Sequence, residues 1–178
     1  RSWLLVDNLR GVGSEERMSE TIRVGMSQIV VAEAPDVLVT LGLGSCVAVC
    51  VYDFFLKVGG MAHVMLPDSS LAKEVTTPGK FADTAISTLL TTMQQKGTLK
   101  ERLVVKIAGG AQMFSYQGLD QKIQIGMRNI NAVEENLAQA GLKISKRSVG
   151  GNIGRSVFME LATGAIKVKM LNSPDLIL

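Results

Sequence analysis

Histidine and cysteine are scarce: the 178 residues contain one histidine, His63, and two cysteines, Cys46 and Cys50. A zinc site of three or four cysteine and histidine ligands cannot easily be assembled from this set. Two cysteines also do not make the disulfide framework of a secreted domain, and four residues apart on one strand they lie too far apart to bond comfortably. If the chain performs cysteine chemistry with a histidine base, His63 is the only base available.

Aromatic residues and clustered charges are also few. The chain has five Phe, two Tyr and one Trp, and its net charge of +3 comes from scattered Lys and Arg residues. Nucleic-acid-binding surfaces usually combine a basic stripe with stacking aromatics, so this composition argues against nucleic acid as a partner. No apolar run approaches the roughly 18 residues of a membrane span, and no signal-peptide pattern is present. We expect a cytoplasmic, monomeric protein without membrane insertion.

The composition is that of a globular protein. Hydrophobic residues make up 47% of the chain and charged residues 20%, which is enough apolar material for a substantial core. We expect one domain over residues 21–178, preceded by a peripheral and poorly ordered extension over residues 1–20.

The hydrophobic periodicity predicts many strands and two helices. Strands are expected at 21–33, 37–41, 46–52, 59–66, 103–108, 142–149, 154–161 and 165–171. Helical spacing is present over 78–95 and 127–140, with Gly97 and Gly141 as the expected stops. This order favours an α/β fold, a mixed and mostly antiparallel β-sandwich with helices packed on the sheets.

Two neighbouring strands bring the scarce residues together. If residues 53–56 form the turn between strands 46–52 and 59–66, Tyr52 pairs with Lys57 and Cys46 lies directly opposite His63. Directly opposed side chains have Cβ atoms about 4.5–5.5 Å apart. A register shifted by two residues leaves the pair diagonal on one face, whereas a shift of one residue places the two side chains on opposite faces of the sheet.

The residues around this pair fit nucleophilic catalysis. Thr40 ends a strand and offers a hydroxyl that can accept a hydrogen bond from the second imidazole nitrogen, as the third group of a triad does. Gly42 and Gly44 are free of side chains, so backbone N–H groups near Gly44 and Ser45 can face a substrate as an oxyanion hole.

Each of these residues also has an ordinary structural interpretation. Cysteines in apolar strands are usually small buried hydrophobes, which is what we expect of Cys50. A lone histidine among alanine and valine is often a hydrogen-bonded core residue. Thr40, taken alone, is far more typical of an ordinary strand residue, and the glycines are equally consistent with a tight turn between two strands.

Taken together, several segments resemble the CheD family of chemoreceptor glutamine deamidases. The matching segments are 40–47, 62–68, 80–85, 106–114, 125–129 and 150–152. They follow one another in the family's order over nearly the whole domain, which makes the match far more specific than any one motif.

The resemblance implies a site, a fold and partners. The family's catalytic cysteine falls on Cys46, its histidine on His63 and its supporting threonine on Thr40. The implied fold is similar to the deamidase domain of cytotoxic necrotizing factor toxins, and the implied activity needs no metal or other cofactor. The implied partners are chemoreceptor helices and the phosphatase CheC, for which Phe114 is part of the expected docking surface or else an ordinary half-buried aromatic residue.

The expected function is therefore hydrolysis of glutamine side chains on chemotaxis receptors to glutamate, with release of ammonia. Two alternatives stay open from the sequence. One is a cysteine peptidase or transglutaminase that uses the same residue pair. The other is a non-catalytic adaptor that binds chemoreceptors and CheC.

Overall fold

Ten strands and two α-helices form the part of the chain that a computed structural model describes, residues 17–113 and 124–178. The strands are β1 (Thr21–Arg23), β2 (Ile29–Glu33), β3 (Val37–Leu43), β4 (Val47–Asp53), β5 (Val58–Val64), β6 (Leu103–Gly109), β7 (Ile144–Val149), β8 (Arg155–Glu160), β9 (Ile166–Met170) and β10 (Leu176–Ile177). The helices are α1 (Ala82–Gln95) and α2 (Ile125–Gln139). Short 3₁₀ turns precede α1 and β6.

The strands form two five-stranded sheets. The outer sheet has the order β1-β3-β8-β9-β10, and the central sheet has the order β2-β5-β4-β6-β7. Only the β1–β3 and β6–β7 pairs are parallel among the described strands. The predicted α/β class with a mixed, mostly antiparallel sandwich is confirmed.

Alternating side chains of the central sheet feed two separate cores. One set, which includes Val49 and Ile107, packs beneath α1 and α2. The other set, which includes Ala48, Cys50 and Met61, packs against the outer sheet. The molecule therefore has three layers: outer sheet, central sheet and helices. Neither helix in the described residues is long and apolar enough to cross a membrane.

The predicted strand at 21–33 is wrong, because this segment forms two strands in different sheets. β1 pairs with β3 in the outer sheet, whereas β2 pairs with β5 in the central sheet. The turn between them contains Ser27, whose φ of 65° is left-handed. The Ser27 amide donates to the His63 carbonyl, and the His63 amide donates to the Gln28 carbonyl, each at 3.0 Å. The crossing between the sheets therefore lies directly against His63.

β4 and β5 form the predicted antiparallel hairpin, but their register is shifted by two residues. Asp53 pairs with Val58, and Ala48 rather than Cys46 lies opposite His63. The Asp53 carboxylate explains the shift, because it accepts hydrogen bonds from the amides of Phe55 and Leu56 and starts the turn one residue later. Lys57, with a φ of 52°, closes the turn instead of starting β5.

The glycines after Thr40 bend a strand rather than end it. β3 continues through Gly42 to Leu43, with an irregularity in its pairing with β8 between Thr40 and Leu43. Gly42 has a φ of 65°, which a residue with a side chain rarely adopts. The bulge brings β3 to the loop that precedes β4.

Residues 17–20 of the predicted N-terminal extension are attached to the domain at Asp36. Arg17 forms an ion pair with its carboxylate at 3.0 Å, and the amide of Glu20 donates to it. Residues 1–16 lie outside the described part of the chain. The proposed boundary at residue 20 stays a prediction.

The end of β6 fixes the loop that carries Cys46. The amide of Gly110 donates to the Cys46 carbonyl, and the amide of Ala111 donates to the Gly44 carbonyl, each at 2.8 Å. Gly109 has a φ of 117°, and a Cβ atom there would lie 2.2 Å from the Cys46 carbonyl oxygen. Only glycine allows this close backbone approach.

Substituting Gly109→Ala should therefore displace the Cys46 loop and lower the free energy of unfolding by roughly 2–4 kcal/mol, from combined backbone strain and steric overlap. The matched control is Gly97→Ala after α1, since Gly97 also has a positive φ but its Cβ would meet only Leu56 Cδ1 at 3.8 Å. It should lose only about 1 kcal/mol. Urea unfolding measures both, and equal losses would contradict the steric argument.

Candidate active site

Cys46 and His63 line one cleft at the edge of the two-sheet sandwich. The cleft has a volume of about 680 Å³ and includes Arg23, Val24, Gly25, Met26, Gln28, Leu41 and Gly42 in its walls. Cys46 lies two residues before Ala48, which is opposite His63, so the two side chains are diagonal neighbours on one face. Such neighbours are roughly 7–8 Å apart, less between Cβ atoms. The shared face that the sequence predicted is present, with a diagonal rather than a direct pairing.

His63 is held by a threonine from the other sheet. Thr40 Oγ1 lies 2.9 Å from His63 Nδ1, and the same hydroxyl donates to the Val24 carbonyl at 2.8 Å. Because a hydroxyl has one proton, Thr40 must accept its bond from the imidazole. Nδ1 therefore has the proton, and Nε2 has a free lone pair. The arrangement selects the tautomer that a general base needs.

Burial disfavours the charged form of both the Cys46 thiol and the His63 imidazole. It raises the pKa of the half-buried Cys46 thiol above its ordinary value. It also lowers the pKa of His63, although the carbonyl of Val24 partly opposes that shift. Both shifts disfavour the ionised forms and thus oppose a resting thiolate–imidazolium pair.

Three successive carbonyl groups, those of Gly44, Ser45 and Cys46, accept hydrogen bonds from the segment after β6 and from α2. Gly110 and Ala111 bind those of Cys46 and Gly44, and Asn129 Nδ2 donates to that of Ser45 at 2.9 Å. In a trans peptide the C=O and N–H groups point in opposite directions. The amides of Ser45 and Cys46 therefore point away from these partners. Gly44 and Ser45, the predicted substrate loop, directly precede Cys46. Their role stays a prediction.

Asn129 is the part of this region that the sequence analysis did not single out. It is fully buried on α2 and also donates to the carbonyl of Met65, at 2.8 Å. It falls on the buried stripe of the helix together with Gly126, Ile130, Val133 and Leu137. A polar residue within an apolar stripe is the signal that could have identified it.

The remaining predicted residues are Cys50 and Phe114, and the structure describes only the first of them. Cys50 is buried between the sheets, and burial raises the pKa of its thiol to about 12. Its burial confirms the expectation that Cys50 is a small core residue. Phe114 lies outside the described residues, so its predicted place in a docking surface is untested.

Known proteins resemble this chain over most of its length. A family model described as CheD chemotactic sensory transduction matches residues 65–170. A protein from Syntrophomonas wolfei subsp. wolfei, named probable chemoreceptor glutamine deamidase CheD, is 43% identical over 161 residues, which cover 90% of this chain and 100% of the relative. A Desulforamulus reducens protein of the same name is 46% identical over 155 residues, 86% of this chain and 92% of the relative.

A protein from Thermotoga maritima, named chemoreceptor glutamine deamidase CheD, is 47% identical over 152 residues, 85% of this chain and 93% of the relative. The family-model match begins after His63, but an alignment of 161 residues within 178 must include the segment that contains Thr40, Cys46 and His63. Because the model match covers more than half of the chain and these relatives match most of it at above 40% identity, the chain belongs to the CheD family.

Proposed function

We propose that this protein hydrolyses glutamine side chains of chemotaxis receptors to glutamate, with Cys46 as nucleophile and His63 as base. The observation that carries the proposal is the Thr40–His63 hydrogen bond, which leaves Nε2 of the imidazole unprotonated in a cleft shared with a thiol. The names of the relatives support the substrate, since they describe chemoreceptor glutamine deamidases.

In the first step, His63 Nε2 removes the proton from the Cys46 thiol as Sγ attacks the carboxamide carbon of glutamine. The attack forms a C–S bond and turns the carboxamide oxygen into an oxyanion. His63 becomes an imidazolium, and its Nδ1–H still donates a hydrogen bond to Thr40. Because burial disfavours the charged form of both groups, we expect proton transfer to accompany the attack instead of preceding it.

The amides of Ser45 and Cys46 are the proposed donors to the oxyanion. Their carbonyl-side partners, Asn129 and the end of β6, restrain the peptide units on which these amides lie. Donors that are fixed before the reaction need no reorganisation when charge develops, which is why such holes contribute strongly to the rate.

The intermediate then collapses, and the C–N bond breaks as the His63 imidazolium protonates the leaving nitrogen. Ammonia departs and a thioester remains on Cys46. His63 next removes a proton from water, whose oxygen attacks the thioester carbon. The C–S bond breaks, the thiol recovers its proton from His63, and the receptor retains a glutamate in place of glutamine. The modified receptor gains a negative charge.

Exposed apolar side chains on the rim of the cleft support a receptor helix as the proposed substrate. Met26 and Leu41 both line the cleft and are exposed. Apolar side chains on a rim suit the apolar stripe of an amphipathic helix, from which one glutamine would reach inward. We extend the proposal to CheC, which would occupy this rim in place of the receptor.

The first prediction separates the two thiols. Cys46→Ala should reduce deamidation of a receptor fragment to background, and Cys46→Ser should be nearly inactive because a hydroxyl is far harder to ionise. The matched control is Cys50→Ala, which should retain most activity and lose a little stability from the missing sulfur. Mass spectrometry of the fragment and ammonia release measure the conversion.

The same spectra test the alternatives. Cleavage of the fragment would indicate a peptidase, and a cross-link would indicate a transglutaminase. Receptor binding and signalling that survive Cys46→Ala unchanged would indicate an adaptor.

The second prediction concerns pH. Since His63 must be neutral to accept the thiol proton and burial lowers its pKa, kcat/KM should stay constant as the pH falls through neutrality. It should then decline with a midpoint below the ordinary histidine value of about 6.5. His63→Ala should abolish this dependence together with nearly all activity. A resting thiolate–imidazolium pair would instead raise the imidazole pKa and would be lost as the pH rises through that value. A loss of kcat/KM on raising the pH just above neutrality would therefore contradict the neutral-pair mechanism.

The third prediction concerns the hydroxyl of Thr40. Thr40→Val keeps the shape of the side chain but removes the acceptor for Nδ1–H, so kcat/KM should fall about tenfold. Thr40→Ser retains the hydroxyl and is the matched control, with activity expected near that of the unmodified protein. Equal activity of the two variants would show that the hydrogen bond does not orient His63.

A further inference from the structure

Asn129 holds together two loops that strand pairing leaves unconnected. The last residue pair of the β4–β5 ladder is Val47 with Val64. Beyond it, the amides of Met65 and Leu66 both donate to the Lys80 carbonyl, so this segment leaves the hairpin. Asn129 Nδ2 then bridges the carbonyls of Ser45 and Met65 at 2.9 and 2.8 Å. It therefore connects the residue before Cys46 to the segment just after His63.

The hydrogen-bonding capacity of the side chain fixes its orientation. An amide nitrogen has two protons, and both are donated to these carbonyls. A flipped amide would point Oδ1 at two carbonyl oxygens, which would repel it. In the observed orientation Oδ1 is buried and has no partner among the described residues. An unsatisfied buried acceptor destabilises a fold, and such exceptions tend to occur at functional sites.

The first turn of α2 leaves Asn129 little freedom to move. A Cβ atom on Gly126 would lie 2.5 Å from the Gly110 carbonyl oxygen, so the helix backbone lies directly on the strand end that binds Cys46. Ile130, next to Asn129, is similarly close to Gly110. Asn129 and Gly110 thus bind the successive carbonyls of Ser45 and Cys46 from two segments that pack directly on each other.

We propose that Asn129 is a positioning residue for the reaction, because it aims the amide of Cys46 at the oxyanion. The Ser45 carbonyl and the Cys46 amide belong to one planar peptide unit, so fixing the first also fixes the second. The bond to Met65 keeps the Asn129 side chain in place. This inference rests on the proposed deamidation, and it adds a residue that never contacts the substrate.

The test compares two reactions of the same thiol. Iodoacetamide alkylates a thiol without forming an oxyanion, whereas deamidation requires one. The test uses the full chain with Cys50→Ala, which confines alkylation to Cys46. In this background Asn129→Ala should lower kcat about 10- to 100-fold and leave KM nearly unchanged. This loss is no larger than the one expected when a whole oxyanion donor is removed. The alkylation rate should stay within about twofold, since it does not use the aimed amide.

Asn136→Ala is the matched control on the same helix. Its Nδ2 donates to the Ala132 carbonyl at 2.8 Å, a bond within α2 that does not reach the site. This variant should keep both kcat and the alkylation rate. If kcat and alkylation fall in parallel in Asn129→Ala, the residue supports general packing and the proposal is overturned. Unchanged kcat overturns it as well.

A second variant covers the case in which Asn129→Ala does not fold. If Asn129→Ala does not fold, Asn129→Ser, which can donate to only one carbonyl at a time, should show the same selective loss of kcat. If neither variant folds, Asn129 serves the fold rather than the reaction, and the proposal is overturned. Failure of the deamidation proposal is distinguishable, because the unmodified protein would then release no ammonia or Cys46→Ala would retain the activity.

Discussion

The hydrogen bond between Thr40 and His63 joins the two sheets at the point where the cleft opens. Thr40 lies on β3 of the outer sheet and His63 on β5 of the central sheet, and both side chains are buried. The bond determines which imidazole nitrogen faces the cleft, and it exists only when the sheets are stacked at their observed offset. The chemistry of the site is therefore coupled to the packing of the whole sandwich rather than to one loop.

The thiol side of the cleft depends on a different kind of support. Cys46 directly precedes β4, which is hydrogen-bonded to β5 and β6 along its length. Where the ladders end, the strand end after β6 and the buried Asn129 continue the restraint on the backbone. A nucleophile held by rigid elements and their immediate neighbours can be positioned more reproducibly than one on a free loop. The open side of the site is provided by the β3 bulge and the β1–β2 turn.

Local patterns predicted the elements better than they predicted the connections between them. The apolar spacing of α1 and the alternation of the β4–β5 hairpin are visible in the sequence because neighbouring residues determine them. The hairpin register was missed, since it depends on the Asp53 carboxylate, which Arg102 also binds at 2.8 Å from a distant segment. The break at Ser27 was missed because the partners of its turn lie on β5. The Thr40–His63 contact depends on how two sheets face each other, and spacing along one chain does not contain that information. The residues alone offered Thr40 only as a candidate partner of the imidazole, and the motif resemblance favoured that assignment.

The separation of Cys46 and Cys50 along the chain also has a redox consequence. Cys46 and Cys50 are the only thiols in these 178 residues, and they lie four positions apart along one extended segment, roughly 13 Å at 3.3 Å per residue. A disulfide requires Cα atoms within about 7 Å, so an oxidised Cys46 cannot be resolved by its neighbour. A sulfenic acid on Cys46 would have to be reduced by a thiol from outside these residues, or it would proceed to irreversible forms. The fold that separates the proposed nucleophile, Cys46, from the buried Cys50 therefore also prevents Cys50 from reducing an oxidised Cys46.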